Sequence, residues 1–272
     1  MKVMIFDITK CIGCYNCQLA CQDEHTDNDW TPIAKPQSDG QSWIKVDYIE
    51  RGTAPKVKVN YVGHVCVHCD KAPCMKAARN EAIYKRADGF VIIDPEKAKG
   101  QKQIVAACPY QAIWWNEELK LPQKCTGCSH LLDRGWKAPR CVTACPADAL
   151  VFGEEEELKP LIARCELLYP QLGATKPRVH YLGIPKKFIA GEVWSPKEDL
   201  CIDGAEIVVE NMSTREKIVT KTDNYGDFWV DGLQVGAYSV KVEKDGYYPL
   251  EVKNISTEND VNMGEIRLPR KA

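Results

Sequence analysis

The sequence has no apolar run of the roughly 20 residues that a transmembrane helix needs. It also lacks a charge bias, because 36 basic residues stand against 38 acidic ones and leave a net charge of −2. These absences argue against membrane insertion and give no sign of a nucleic-acid partner. Since the chain reaches Cys11 before the hydrophobic region of a signal peptide could finish, we expect a cytoplasmic protein. Export on a partner's signal is the alternative.

Catalytic motifs are lacking as well. The sequence contains no phosphate-binding glycine loop, nucleophile elbow or paired His/Asp set. Four of the five histidines are scattered, with no two at metal-ligand spacing. We interpret these four as structural or surface residues: His25, His64, His130 and His180. No residue of this chain is therefore predicted to be catalytic.

Cysteine, in contrast, is abundant, with 14 in 272 residues, and twelve of these form dense motifs. The motifs read Cys11-x2-Cys14-x2-Cys17-x3-Cys21, Cys66-x2-Cys69-x4-Cys74, Cys108-Pro109 and Cys125-x2-Cys128-x12-Cys141-x3-Cys145-Pro146. The first motif has the bacterial iron–sulfur spacing, in which the fourth cysteine ligates the neighbouring cluster. Cys165 and Cys201 lie outside every motif and are interpreted as free buried thiols.

Zinc sites and disulfides are the alternative uses of these cysteines. Taken alone, the motif from Cys125 to Cys145 fits a zinc ribbon with four cysteine ligands. The run from Cys11 to Cys21 is too dense for such a ribbon, and repeated Cys-Pro endings are unusual for zinc. Cysteines two residues apart rarely meet the geometry of a disulfide. The motifs together favour iron–sulfur clusters, whose reduced thiolates also suit assembly in the cytosol.

We predict three [4Fe–4S] clusters, each held by four of the twelve cysteines. Because the fourth cysteine of the first motif ligates a neighbouring cluster, the motifs exchange ligands. Cluster A is assigned to Cys11, Cys14, Cys17 and Cys145, cluster B to Cys21, Cys125, Cys128 and Cys141, and cluster C to Cys66, Cys69, Cys74 and Cys108. His68 lies between two ligands of cluster C. It is interpreted as tuning that cluster by a hydrogen bond, or as replacing a ligand.

The chain is long enough for two domains, and we predict an α+β architecture. Residues 1–152 are expected to form a double two-cluster ferredoxin-like domain with an insertion at about 22–65. Residues 153–187 form an acidic, proline-containing connector with one short helix around Leu158 to Leu168. Residues 188–272 alternate short apolar strands with turn signals, which predicts a β-sandwich or barrel. Its candidate strands are Phe188–Val193, Glu206–Glu210, Glu216–Thr222, Phe228–Val230, Ala237–Glu243 and Gly264–Leu268.

The cysteine motifs resemble the four-cluster iron–sulfur subunit of the dimethyl sulfoxide reductase family of molybdenum enzymes. In that family the middle motifs read C-x2-C-x4-C-x3-C-P and C-x2-C-x2-C-x3-C-P. This chain instead reads Cys66-Val-His-Cys69-Asp-Lys-Ala-Pro-Cys74-Met-Lys-Ala-Ala78 and Ala98-Lys-Gly-Gln101-Lys-Gln-Ile104-Val-Ala-Ala-Cys108-Pro109. The resemblance implies that the four ligands of one cluster have become Ala78, Ala98, Gln101 and Ile104. A fourth cluster is therefore expected to be absent.

Within this family the whole chain resembles a three-cluster branch of transhydroxylases. The segments that carry this resemblance are His68-Cys-Asp-Lys-Ala-Pro-Cys74, Ile93-Asp-Pro-Glu-Lys97 and Lys124-Cys-Thr-Gly-Cys-Ser-His-Leu-Leu-Asp133. The resemblance implies a large partner subunit that carries molybdenum bis(pterin guanine dinucleotide) and acts on hydroxylated aromatic compounds, as in pyrogallol-to-phloroglucinol conversion. Resorcinol hydroxylases and catechol dehydroxylases are related complexes.

The C-terminal part has a resemblance of its own. The segments Thr222-Asp-Asn-Tyr-Gly226-Asp-Phe228 and Leu233-Gln-Val-Gly236-Ala-Tyr238 are similar to those of carboxypeptidase-regulatory and transthyretin-like modules. Such modules are Ig-like sandwiches that mediate contacts.

The leading hypothesis is thus an electron-transfer subunit of an anaerobic molybdenum heterodimer. One alternative keeps the subunit but places it in another enzyme of the family, such as a polysulfide or thiosulfate reductase. A second alternative is a scaffold whose clusters only cross-link the fold, since transhydroxylation is redox-neutral overall.

Overall fold

The computed structural model describes residues 1–28 and 41–271. These fall into two compact units, of which the first comprises Met1–Ile49 and Asn60–Ile184 and the second Glu50–Val59 and Pro185–Ala272. Part of the insertion predicted at about 22–65, residues 29–40, lies outside the described residues. Another part, Glu50–Val59, groups with the C-terminal unit, which nothing in the sequence indicated.

The first unit combines short strands and short helices. Its strands are β1 (Lys2–Asp7), β2 (Ile44–Thr53), β3 (Lys56–Val65), β4 (Ile83–Lys85), β5 (Val91–Ile93), β6 (Trp114–Asn116), β7 (Leu121–Gln123), β8 (Leu150–Glu154) and β9 (Val179–Leu182), with the tip of the β2–β3 hairpin in the second unit. Its helices are α1 (Asn16–His25), α2 (Pro73–Ala77), α3 (Gln103–Ala106), α4 (Ser129–Leu132), α5 (Arg140–Thr143) and α6 (Glu155–Ile162), with a 3-10 helix at Pro170–Thr175.

Strand β1 is the centre of a three-stranded sheet. It pairs antiparallel with β8, where Met4 lies opposite Phe152, and parallel with β9, where Met4 lies opposite Val179. All residues from Val3 to Phe6 are buried. A central strand covered on both faces needs such an unbroken apolar run, in place of alternation. The strand runs directly into the first cysteine motif.

The segment expected as a connector takes part in the first unit through β8, α6 and β9. Helix α6 covers Glu155–Ile162 and not Leu158 to Leu168, so the predicted helix position was wrong. Its first turn is acidic, which suits the positive end of the helix dipole. Past Ile162, Glu166 instead exchanges backbone hydrogen bonds with Tyr181, at 2.8 and 2.9 Å. This long-range bridge competes with a longer helix.

The second unit is built from two sheets. Its strands are β10 (Lys187–Ser195), β11 (Leu200–Cys201), β12 (Glu206–Asn211), β13 (Lys217–Lys221), β14 (Asp227–Leu233), β15 (Ala237–Glu243), β16 (Leu250–Ser256) and β17 (Val261–Arg267). One sheet contains β10 with β11, β14 and β17, and the other has the order β13-β12-β15-β16. Apolar residues of both sheets, among them Ile189, Phe228, Ile207 and Val240, share one core. Strand β16 was not among the predicted strands, and most of its residues are exposed.

The hairpin tip is held within the second unit by charged pairs. Arg51 Nε lies 3.2 Å from Asp260 Oδ2, and both side chains are largely buried. Lys56 and Asp227 form a second pair, and Lys58 and Asp231 form a more exposed third one at 2.6 Å. The tip therefore packs as an additional element of the β unit.

Candidate iron–sulfur centres

The first cysteine motif passes from a loop into a helix. Cys11 is half-buried and Cys14 is exposed, both on the loop after β1. Cys17 and Cys21 follow one helical turn apart on α1, and both are buried. The loop approaches its neighbours closely at Gly13, where φ is +67° and an added Cβ would lie 2.3 Å from the Tyr61 ring. Glycine is therefore required in this turn.

The last motif shows the same loop-and-helix construction. Gly127 and Cys128 both have positive φ, of 64° and 49°, so the chain turns sharply between Cys125 and α4. An added Cβ on Gly127 would lie 2.5 Å from the Phe90 ring. Cys141 is buried on α5, and Cys145 follows it just after the helix ends.

The middle cysteines line a small cavity of about 20 Å³. All four predicted ligands of cluster C contribute to its wall, together with His68, Val91 and other mostly apolar residues. Cys66, Cys69 and Cys74 are buried, and Cys108 is half-buried. The fold thus gathers these four cysteines from two separate segments around one apolar space.

Charge repulsion between the thiols acts within the predicted groups and also between them. Burial, with repulsion from Cys11, Cys145 and Cys14, raises the pKa of Cys17 to about 12. Burial also raises the pKa of Cys141 well above its usual value, and Cys128, Cys125 and Cys21 add to this rise, followed by Cys17. For Cys74 burial raises the pKa to about 12, with Cys66, Cys108 and Cys69 as the contributing thiols. Repulsion also crosses the predicted groups: burial raises the pKa of Cys125 well above its usual value, and Cys66, a predicted ligand of cluster C, adds to this rise.

Backbone amides donate hydrogen bonds to several of these sulfurs. Such bonds stabilise a thiolate over a thiol. The pairs are Gly127 to Cys125 at 3.3 Å, Arg140 to Cys128 at 3.5 Å, Ala149 to Cys145 at 3.3 Å and Ala112 to Cys108 at 3.4 Å. Among the described residues, no three His, Cys, Asp or Glu side chains are arranged to hold a single metal ion.

The four positions expected to be vacant are filled by protein. Ala98 and Ile104 are fully buried in the core of the first unit, and Ala78 packs against that core. The Gln101 side chain is buried and bonds to backbone groups only a few residues from these alanines. None of the four offers a sulfur ligand.

Two residues near the thiols were not recognised as such from the sequence. His25 is buried, and its Nε2 lies 3.8 Å from Cys128 Sγ. Its spacing was a usable signal, because Cys17, Cys21 and His25 follow at intervals of four on one face of α1. Lys124 is buried beside Cys125, and the sequence carries no sign of this burial.

The two cysteines outside the motifs behave differently from each other. Cys165 is half-buried, and its thiol donates to the carbonyl of Leu161 at 3.2 Å. Cys201 is exposed, and its thiol donates to Glu192 at 3.3 Å. The prediction of a buried thiol is therefore wrong for Cys201, because it lies on the exposed two-residue strand β11.

Comparison with known protein families finds a different family match for each of two parts of the chain. Residues 57–155 match the 4Fe-4S dicluster domain family, and residues 189–268 match the carboxypeptidase regulatory-like domain family. The chain thus has a ferredoxin-like [4Fe–4S] domain and an Ig-type β domain. Among the described residues, no helix is long and apolar enough to span a membrane.

Individual relatives extend this result. The pyrogallol hydroxytransferase small subunit of Pelobacter acidigallici is 36% identical over 97% of this chain and 98% of its own. A tetrathionate reductase subunit of Salmonella typhimurium is 30% identical over 68% of this chain and 74% of its own. A polysulfide reductase subunit of Wolinella succinogenes is 33% identical over 68% of this chain and 92% of its own.

Among solved structures, 5-hydroxyisourate hydrolase of Klebsiella pneumoniae matches 32% of this chain and 92% of its own at 9% identity and a TM-score of 0.26, too low to support an argument. The sequence relatives are decisive, since one of them matches nearly the full length of both chains. This chain belongs to the electron-transferring iron–sulfur subunits of the dimethyl sulfoxide reductase family of molybdenum enzymes.

Proposed function

We propose that the chain carries electrons through three [4Fe–4S] clusters in a complex that acts on hydroxylated aromatic compounds. The proposed clusters are supported by the twelve cysteines in their motifs, four of which line one cavity: Cys66, Cys69, Cys74 and Cys108. The observation behind the substrate class is the length of the match to the pyrogallol hydroxytransferase small subunit, at 97% of this chain. The polysulfide reductase and tetrathionate reductase subunits each match a smaller part, 68% of this chain.

The thiol environment fits such clusters. Grouped thiols with raised pKa values resist ionisation on their own, because each thiolate would repel the others in a medium of low polarity. Positive iron supplies the charge that reverses this preference. A [4Fe–4S] cube accepts one thiolate at each of its four irons, so its ligands surround a volume. The cavity of about 20 Å³ between the four cysteines of cluster C is consistent with this arrangement.

The proposed ligand sets are those predicted from spacing. Cluster A takes Cys11, Cys14, Cys17 and Cys145, cluster B takes Cys21, Cys125, Cys128 and Cys141, and cluster C takes Cys66, Cys69, Cys74 and Cys108. Repulsion between Cys17 and Cys141 relates set A to set B, and repulsion between Cys125 and Cys66 relates set B to set C.

The chain's own residues hold the clusters and exclude water from them. When bound, the clusters supply one-electron transfer. Apolar side chains of the shared core surround most of the cysteines, and the backbone amides described above donate to four of the sulfurs. Residues 1–152 thus act as a double two-cluster module with one site filled by protein, and residues 188–272 act as a contact domain.

The partner in this proposal is a large catalytic subunit that binds molybdenum bis(pterin guanine dinucleotide) in the cytoplasm. This chain then contributes no catalytic residue. Purification of the native complex without oxygen, followed by identification of its subunits and its molybdenum, tests the assignment. A molybdenum subunit with activity on trihydroxybenzenes supports it. A membrane subunit that binds quinone, with activity on sulfur compounds, overturns the substrate class.

Electron paramagnetic resonance during turnover separates an electron carrier from a scaffold. Clusters that change redox state with substrate, or with a reductant of the molybdenum centre, support the proposed function. Clusters that keep one redox state under all these conditions contradict it and favour a structural role.

A further inference from the structure

Lys124 is an unusual residue because its charge is buried. Only 3% of the residue is exposed. Its Nζ donates to the carbonyl of Val91 and, at 3.0 Å, to that of Cys125. Across the part of the chain that the structure describes, no carboxylate lies within ion-pair distance of this amine. Lysine is almost never buried without a partner charge, so the position calls for a negative group nearby.

His68 presents a second buried group without a partner. It is 4% exposed, and its Nδ1 accepts a hydrogen bond from the backbone N–H of Val91 at 3.1 Å. A nitrogen that accepts carries no proton, so the ring is neutral and bears its N–H at Nε2. That Nε2 is buried and has no hydrogen-bond partner among the described residues. A buried donor without a partner points to an acceptor that belongs in the site.

The side chains of Lys124 and His68 both hydrogen-bond to the backbone of one residue, Val91. Val91 in β5 accepts from Lys124 through its carbonyl and donates to His68 through its amide. His68 and Val91 line the cavity of about 20 Å³ with the four cysteines of cluster C. His68 also lines a second cavity of about 10 Å³ with Cys66 and Cys125. His68 therefore lies between a predicted thiol ligand of cluster B and those of cluster C, and Lys124 bonds to the same Val91 and to the carbonyl of Cys125.

We propose that Lys124 and His68 raise the reduction potential of cluster C, Lys124 through its charge and His68 through an N–H hydrogen bond to a cluster sulfur. This inference rests on the three-cluster function proposed above. Reduction adds one electron and thus negative charge to the cluster. A nearby cation or a donor to sulfur stabilises that charge, so it favours the reduced form. Neither side chain is a cluster ligand.

The thiol electrostatics agree with this placement. Burial raises the pKa of Cys74 to about 12, and Lys124 opposes that rise. Burial also raises the pKa of Cys108, with Lys124 again acting in the opposite direction. Both cysteines belong to set C, so the amine is close enough to stabilise negative charge there.

The test is a redox titration of the native complex followed by electron paramagnetic resonance. The signal of cluster C is identified as the one lost in Cys74→Ala. We expect Lys124→Met to reduce the equilibrium constant for reducing this cluster at least tenfold, which is about 59 mV for one electron. Lys120→Met removes the same charge from an exposed side chain and should leave the potential unchanged. Lys124→Arg keeps the positive charge, so its cluster C should have a reduction potential close to that of the wild type.

His68→Asn tests the second residue separately. Its amide oxygen can still accept from Val91, but the donor at Nε2 is lost, and we expect about a threefold reduction of the same equilibrium constant. A purely structural role would lower the thermal midpoint and leave the potential in place. If Lys124→Met does not assemble its clusters, Lys124→Gln is titrated in the same way.

The two proposals fail in different ways. Suppose that Cys74→Ala loses about four irons relative to the wild-type complex. If the reduction potential of cluster C in the Lys124 variant and in His68→Asn then equals that of the wild type, the tuning inference is overturned. If Cys74→Ala loses no iron and no signal, cluster C does not exist as assigned, and the proposed function is at fault.

Discussion

The side-chain amide of Gln101 bonds to both backbone polar groups of Arg79. Its Oε1 accepts from the Arg79 N–H at 2.8 Å, and its Nε2 donates to the Arg79 carbonyl at 3.1 Å. A further bond from Nε2 reaches the carbonyl of Lys97 at 2.8 Å. The resemblance to the family pattern implies that Gln101 stands at the position of a cysteine ligand. It joins two chain segments that a cluster would otherwise connect.

The first prediction concerns this cross-link. Replacing Gln101 by alanine leaves three buried backbone bonds unmade, each worth roughly 1 kcal/mol or more. We expect a loss of about 3 kcal/mol, seen as a thermal midpoint about 6–12 °C lower at a fixed scan rate. Gln171→Ala serves as the control, because Gln171 is exposed and should shift the midpoint by little. Equal shifts in both variants would contradict the cross-link.

The second prediction concerns iron content. Cys74→Ala removes one thiolate from set C, so we expect a loss of about four irons per complex relative to wild type. Cys201→Ala removes an exposed thiol of the second unit and should retain all the iron. Iron and acid-labile sulfide are measured after anaerobic purification. Loss of iron in the Cys201 variant, or its retention in the Cys74 variant, would show that the ligand assignment is wrong.

The third prediction concerns the β2–β3 hairpin tip. Asp260 pairs with Arg51 and also accepts from the Phe188 N–H at 3.0 Å, with 6% of its side chain exposed. Asp260→Asn keeps an acceptor but leaves the Arg51 charge unpaired in a buried site, at a cost of about 3 kcal/mol. Asp231→Asn breaks the exposed pair with Lys58 and should cost less than about 1 kcal/mol. The thermal midpoints of the two variants are compared. A larger decrease in Asp231→Asn than in Asp260→Asn would contradict the prediction.

The fourth prediction concerns pH. Burial lowers the pKa of His180, opposed by Glu155 and assisted by Arg178. The unfolded chain then takes up a proton near pH 6.5 before the folded one does. The contribution of this histidine to stability is therefore complete well above pH 6.5 and declines as pH falls through 6.5 towards 5, by at most about 1.4 kcal/mol per pH unit. His180→Gln should flatten the decline in thermal midpoint and have no effect on its slope between pH 7 and 8.

Local spacing explains why the cysteine chemistry was readable from the sequence. Cysteines two or three residues apart are neighbours in any loop or helix, so each motif specifies part of a site before the chain folds. Family membership and the electron-transfer role are confirmed by the relatives. The ligand sets stay predictions, and the four cysteines of cluster C line one cavity. The vacant positions could also be identified, since an alanine or isoleucine offers no ligand wherever it lies.

Long-range contacts were beyond the reach of such reasoning. The end of α6 depends on the bridge between Glu166 and Tyr181. The assignment of Glu50–Val59 to the β unit goes with ion pairs to residues about 170 to 210 positions further on. The exposure of Cys201 depends on a short strand at a sheet edge. None of these leaves a periodic or compositional trace in the residues concerned.

The sequence by itself determined the type and number of possible ligands and the change to an all-β C-terminal part, because these depend on residue identity and short-range spacing. Only the tertiary structure decided what surrounds the thiols. It buried Lys124 and oriented His68 through the backbone of Val91. The Lys124 charge acts on the groups that lie near it in the folded chain. Which groups those are depends on packing between residues that are far apart in the sequence.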